Sequence, residues 1–172
     1  MFQFWRDRPL GFDKSSVGNY HMVNLFNRLF VSRRTLQQYG ALCYRMRKSH
    51  LEIALVTSRG TGRFVIPKGW PEPGFQPFEA AAKEAEEEAG LIGEIAQTAI
   101  GSYGYLKRLH LFASITCRVS VFPLRVTDEL ASWDEGAERQ RVWMSPQQAA
   151  SSVAEHELEQ IILEFERDFG SA

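Results

Sequence analysis

Cysteine is nearly absent from this chain: Cys43 and Cys117 are the two in 172 residues. A disulfide framework or thiolate metal site needs more of them at closer spacing, and each stands inside an apolar run. Both are therefore read as buried free thiols in a reducing compartment. Histidine is sparse too, and His21, His50, His110 and His156 show no ligand spacing. No run approaches the roughly 20 apolar residues of a membrane-spanning helix, and no secretory signal core opens the chain. A cytoplasmic protein with no membrane partner is expected, an organelle presequence being the minor alternative because the N-terminus is Arg-rich and acid-poor. Internal repeats and low-complexity tracts are missing as well.

Hydrophobic residues make up 44% and charged residues 24%, ordinary for one globular domain with a real core. The net charge of −1 conceals an asymmetry, since residues 1–50 hold nine Lys/Arg against two Asp and the remainder eleven against nineteen Asp/Glu. A basic front and an acidic rear suit an anionic ligand together with a cation.

Residues 1–35 read as an N-terminal extension. Within it "MVNLFNRLF" (22–30) places Met22, Leu25, Phe26, Leu29 and Phe30 on one stripe of a short amphipathic helix. That helix is expected to dock on the domain or on a second copy, which makes a homodimer one expected form. In 36–172 the strand period takes over. "QYGALCYR" (38–45) and "LEIALVTS" (51–58) predict a hairpin, and "RFVIP" (63–67) a short strand stopped by Pro67. A Gly/Pro-rich loop, "PKGWPEPGFQP", leads to a helix entered at Pro77 and ended by Gly90. Strands are predicted over 92–106, 111–126 and 139–145, then a short helix from Pro146. A last helix has Leu158, Ile161, Ile162, Phe165 and Phe169 on one face. Helices around a mixed sheet give an α/β (α+β) fold.

In the helix entered at Pro77, Glu84, Glu87 and Glu88 stand at i, i+3 and i+4, so three carboxylates share one face. Their repulsion costs a few tenths of a kcal/mol per pair when solvated. A hard divalent cation such as Mg2+ would turn it into attraction. The plain alternative is a surface helix built from good helix formers.

The loop and helix together resemble the Nudix box, whose pattern is G-x5-E-x7-R-E-U-x-E-E-x-G-U with U aliphatic. Gly69, Glu84, Glu87, Glu88, Gly90 and Leu91 match it, and Ala85 takes an apolar slot. The chain is similar to Nudix hydrolases over about 37–168. Through "YGALCYR", "ALVTSRGTGRFVIPKGW" and "GSYGYLKR" it looks most like the diphosphoinositol polyphosphate phosphohydrolase branch. The resemblance implies an α/β/α sandwich around a mixed sheet. It also implies Mg2+-dependent cleavage, with Mn2+ as substitute, of a phosphoanhydride in a nucleoside- or inositol-polyphosphate. Glu84, Glu87 and Glu88 would then be catalytic and, with the Gly69 carbonyl, would ligate the metal. The base stays open between Glu84, Glu88 and the loop residues Glu135 and Glu138.

Two departures stand out. Phe75 occupies the place of the loop glutamate and Lys83 that of the arginine, so the ion pair expected to brace loop on helix cannot form. Phe75 is expected to pack the loop instead, with Lys83 reaching Glu79, Glu86 or Glu87.

Arg45, Arg59, Arg63, Lys68 and Lys107 are the candidate phosphate binders, and Trp70 a candidate for the pocket mouth. Tyr103 and Tyr105 either stack on a base or pack in the core, and Trp143 is expected in the core. The partner expected is a small-molecule polyphosphate. Nucleic acid is not expected, for no RNA-binding motif is present. The competing readings are a polyphosphate sensor, suggested by Phe75 and Lys83, and an RNA-end pyrophosphohydrolase, suggested by the basic front.

Overall fold

A computed structural model describes residues 35–110 and 113–169. The predicted amphipathic helix over 22–30, with the rest of the extension up to residue 34, lies outside them. Strand β1 (Thr35–Arg47) and strand β2 (His50–Thr57) form the expected hairpin. The polar link contracts to two residues, Lys48 and Ser49, at φ 48° and 65°. Both central residues at positive φ are what a tight turn matching the strand twist needs, and here it is made without glycine.

The short strands β3 (Phe64–Val65) and β4 (Lys68–Gly69) follow, then helix α1 (Pro77–Ala89). Next come β5 (Leu91–Ile95), β6 (Gly101–His110), β7 (Ala113–Glu129) and β8 (Arg141–Met144), and finally helices α2 (Pro146–Ser152) and α3 (His156–Phe169). All the strands join one sheet in the order β3-β2-β1-β7-β5, with β4 also beside β1, β6 beside β7 and β8 beside β2. The β1–β7 pair is parallel and every other pair antiparallel, so the sheet is mixed.

Alternation along the strands sends side chains to two cores. Leu42, Ile53, Leu55, Val119 and Val121 meet Ala149, Leu158, Ile161 and Ile162 of α2 and α3. On the other face Cys43, Val56, Phe122 and Leu124 meet Ala81, Ala85 and Ala89 of α1. Small residues on both partners, Ala41 and Ala54 included, let α1 lie close to the sheet. The result is the α/β/α sandwich. Full burial of side chains such as Leu158 and Ile162 contributes roughly 1.5–3 kcal/mol each. Phe165 and Phe169 close the α3 side edge-on against Tyr44, at 4.9 and 5.2 Å between ring centroids.

Helix α1 begins and ends where the sequence predicts. The Glu79 carboxylate accepts from the Gln76 N–H at 2.8 Å, and Gly90 takes the left-handed conformation (φ 63°, ψ 34°) with its N–H on the Glu86 carbonyl. Two expectations need correction. The strand predicted over 92–106 is two, β5 and β6, parted at 96–100, where Ala96 and Ile100 donate singly to Pro123 and Val121. Lys68–Gly69, read as loop, pairs with Gly40 and Tyr39 of β1. Cys43 and Cys117 are buried free thiols, as expected. No helix among the described residues is long and apolar enough to cross a membrane.

Candidate active site

The β4 pairing fixes Gly69 against the first half of α1's acidic turn. A Cβ on Gly69 would lie 1.5 Å from Glu84 Oε1 and 2.1 Å from its Cδ. The glycine is thus a seat: the Glu84 carboxylate occupies the space a side chain would fill. Among the described residues Glu84 has no hydrogen-bond or ion-pair partner. Burial first, then the negative charges of Glu88 and Glu87, push it up to about 7.

Its two neighbours are engaged. Glu88 is buried; Oε1 accepts from the Arg139 guanidinium and Oε2 from the Lys68 N–H at 3.1 Å. Burial raises Glu88, while Lys68 and Arg139 pull it back down. Glu87 accepts from Lys83 Nζ at 2.6 Å. The same ammonium donates to Glu72 at 2.8 Å, and these two hydrogen bonds raise Lys83. Lys83 thus reaches Glu87, as expected, and a loop-to-helix ion pair forms as well although residue 75 cannot make it. Its carboxylate stands three residues earlier. The turn closed by the Phe75 N–H on the Glu72 carbonyl, with Gly74 at φ 89°, folds the loop back at that point. Phe75 itself is 46% exposed and does not replace the pair by packing.

These residues wall one cleft of about 730 Å3. Gly69, Glu84, Glu87 and Glu88 line it, and Arg59, Arg63, Lys68, Trp70 and Lys107 come to the same cavity from β4 and the loop after it, β6 and the β2–β3 turn. Arg59 pairs with Glu135 and Glu138 at 3.2 and 3.6 Å, and Arg63 with Glu155 at 2.8 Å. Burial lowers Lys68, whose Nζ lies 5.7 Å from the Tyr105 ring. Lys107 Nζ sits 4.8 Å over Trp70, which is 38% exposed at the rim. Of the two loop carboxylates, Glu135 lines the cleft and Glu138 does not.

Arg45 is the misplaced candidate. It does not line the cleft; it pairs with Glu52 at 2.7 Å and with Glu129, and stacks 3.9 Å over Trp143. Near the end of β1, it is held among Glu52 of β2, Glu129 of β7 and Trp143 of β8. Tyr103 is a core residue, whereas Tyr105 borders the cleft and donates from its hydroxyl to Gln38 Oε1 at 2.7 Å.

Arg139 was not legible beforehand. Buried yet lining the same cleft, it ties Glu88 to Glu135 and donates to the Thr57 carbonyl at 3.0 Å. The one hint in sequence is its i,i+4 spacing from Glu135, too common a pattern to single it out.

No group of three or more His, Cys, Asp or Glu among the described residues is arranged to hold a metal ion as it stands. Glu87 and Glu88 face Lys83 and Arg139 instead. The donor chemistry nonetheless fits a hard divalent ion. It is all oxygen, and a divalent ion beside Glu84 would offset the negative charges of Glu88 and Glu87 that, with burial, raise that carboxyl.

A family profile described as the NUDIX domain matches residues 36–168. Among curated relatives, Nudix hydrolase 12, mitochondrial, of Arabidopsis thaliana is 30% identical over 68% of this chain and 59% of its own. Diphosphoinositol polyphosphate phosphohydrolase 2 of Rattus norvegicus is 29% identical over 68% of this chain and 62% of its own. The chain thus spans about three fifths of the length of these two relatives. A C. elegans Ap4A hydrolase binary complex shares the fold, with a TM-score of 0.60 at 18% identity over 80% of this chain and 100% of that one.

Proposed function

Because this chain belongs to the Nudix family, its domain covering residues 36–168, we propose that it is a divalent-metal-dependent pyrophosphohydrolase of a nucleoside- or inositol-polyphosphate. The observation that carries the reading is that the Glu84 carboxylate seated on Gly69 lines one cleft together with the cations Arg59, Arg63, Lys68 and Lys107. A phosphoanhydride presents such a pair of needs. Its anionic oxygens want cations, and the attacking water needs an oxygen base beside it.

In this reading Glu84 and Glu87, with the Gly69 carbonyl, hold Mg2+ or Mn2+, and Glu88 joins them when Arg139 yields it. The bound ion would neutralise phosphate charge and acidify water. Lys68, Arg63 and Arg59 take the remaining phosphate oxygens, and Trp70 with Lys107 shapes the mouth. Among the carboxylates Glu84 is best suited to take the proton. Both Glu88 oxygens are engaged, and Glu135 is shared between Arg139 and Arg59. The compartment we propose is the cytoplasm, on sequence grounds alone, and several curated relatives carry mitochondrial or chloroplastic names.

A panel of dinucleoside polyphosphates, diphosphoinositol polyphosphates and nucleoside diphosphate derivatives, assayed with and without Mg2+, tests the proposal. Metal-dependent turnover of at least one class with identified products is expected. A second reading, a polyphosphate sensor, is favoured by one observation: Glu87 and Glu88 are already paired with protein cations. Tight binding of one panel member with phosphate release no faster than blank would select it.

A further inference from the structure

Lys83 stands between the loop and the acidic turn and pairs with a carboxylate on each: Glu72 at 2.8 Å and Glu87 at 2.6 Å. All three side chains are about one-third exposed, so the contacts are neither locked in the core nor lost to solvent. An ammonium has three N–H donors on a flexible stem and acts as a point charge. How that charge is divided decides how much negative charge Glu87 still presents to the cleft.

We propose that Glu72 is a positioning residue which, by drawing Lys83 toward the loop, keeps Glu87 available to a divalent cation. The inference rests on the metal-dependent reading above and goes one step beyond it. With Glu72 in place the ammonium serves two carboxylates, and the trio retains a net negative charge. Without it, Lys83 and Glu87 become a neutral i,i+4 pair, a geometry favourable in any helix. A cation approaching Glu87 must then displace Lys83 from its one remaining partner. Residue 75 cannot serve as partner, being an exposed phenyl ring. The turn that returns the chain at Glu72 supplies the carboxylate in its stead.

The test uses the full chain and Mg2+ alone as the probe. Glu72→Gln keeps size and hydrogen bonding but removes the charge. Its apparent Kd for Mg2+ by calorimetry is expected to rise about two- to fivefold, the range of an exposed ion pair. The Mg2+ concentration for half-maximal turnover should rise with it, with kcat at saturating metal unchanged. The double variant Glu72→Gln/Lys83→Met then separates positioning from simple bracing. Positioning predicts recovery of the Mg2+ Kd to the wild-type value or tighter, since the competing ammonium is gone. Bracing predicts a Kd as weak as the single variant or weaker. An unchanged Kd in Glu72→Gln, or no recovery in the double variant, overturns the inference while leaving the metal-dependent reading intact. A wild-type protein that neither binds Mg2+ nor needs it overturns both.

Discussion

Replacing Gly69 by alanine adds one methyl group to the site. An ideal Cβ there would stand 1.5 Å from Glu84 Oε1, 2.1 Å from Cδ and 2.7 Å from Oε2. Ordinary contact begins at about 3.4 Å, so the carboxylate must retreat by roughly 2 Å. The atoms in the way are the end of a partly exposed, flexible side chain, so the fold should absorb the change. A loss of roughly 1 kcal/mol corresponds to a Tm shift of about 2–4 °C for a chain of this length. The site should not absorb it. Misplacing a reacting group by about 1 Å costs on the order of a hundredfold in rate, so Gly69→Ala is expected to lose at least that in kcat/KM, about 2.7 kcal/mol of barrier. Gly60→Ala is the control. Gly60 lines the same cleft, but nothing lies within 4 Å of its added Cβ, and less than a twofold change is expected. Product release would be followed for all three proteins beside thermal melts. A folded Gly69→Ala protein with near wild-type kcat/KM would refute the seat, and with it the assignment of Glu84.

Three further outcomes follow from the same geometry. Arg139→Met leaves Glu88 buried without its partner, and the loss of a buried pair should cost about 3–5 kcal/mol in chemical denaturation; a loss under 1 kcal/mol would contradict the pairing. Arg45→Ala should leave KM unchanged for every substrate while lowering stability by about 1 kcal/mol, because its partners are Glu52, Glu129 and Trp143; a raised KM would return it to the binding set. Glu84, raised from 4.5 to about 7 in the fold, favours the folded state at pH below its unfolded value and loses that contribution as pH climbs through 7. The stabilisation of the protein by Mg2+, read as the Tm difference with and without the ion, should therefore grow from pH 5 to pH 8, and a difference that shrinks over that range would count against the assignment.

Much of this arrangement is written in local signals. Pro77 and Gly90 bound helix α1 because each has a conformational preference that acts on its own neighbours. The i, i+3, i+4 spacing of Glu84, Glu87 and Glu88 places them on one face wherever the helix packs. The alternation in β1 and β2 likewise assigns residues to two cores with no knowledge of the rest. What escaped the sequence depends on approach between distant segments. Lys68–Gly69 is a strand only because Gly40 and Tyr39 of β1 lie beside it. Arg139 matters because the chain returns it beneath Glu88, 51 positions away in sequence. Glu72 replaces the expected brace because a loop with glycine at positive φ changes which residue meets Lys83. Arg45 misled for the converse reason. A strand-end arginine looks alike whether it turns into a cleft or away from it, and Glu52, Glu129 and Trp143 made the choice.

The central claim is that the acidic turn of α1 and the Gly69 backbone share a divalent ion with a bridging diphosphate. Its most direct test is a crystal grown with Mn2+ and a non-hydrolysable diphosphate analogue, with anomalous scattering recorded at the manganese edge. An anomalous peak in the cleft within metal-bonding distance of Glu84 and Glu87 oxygens and a phosphate oxygen is expected. A diphosphate bound elsewhere, or those carboxylates facing solvent with no peak between them, would contradict it.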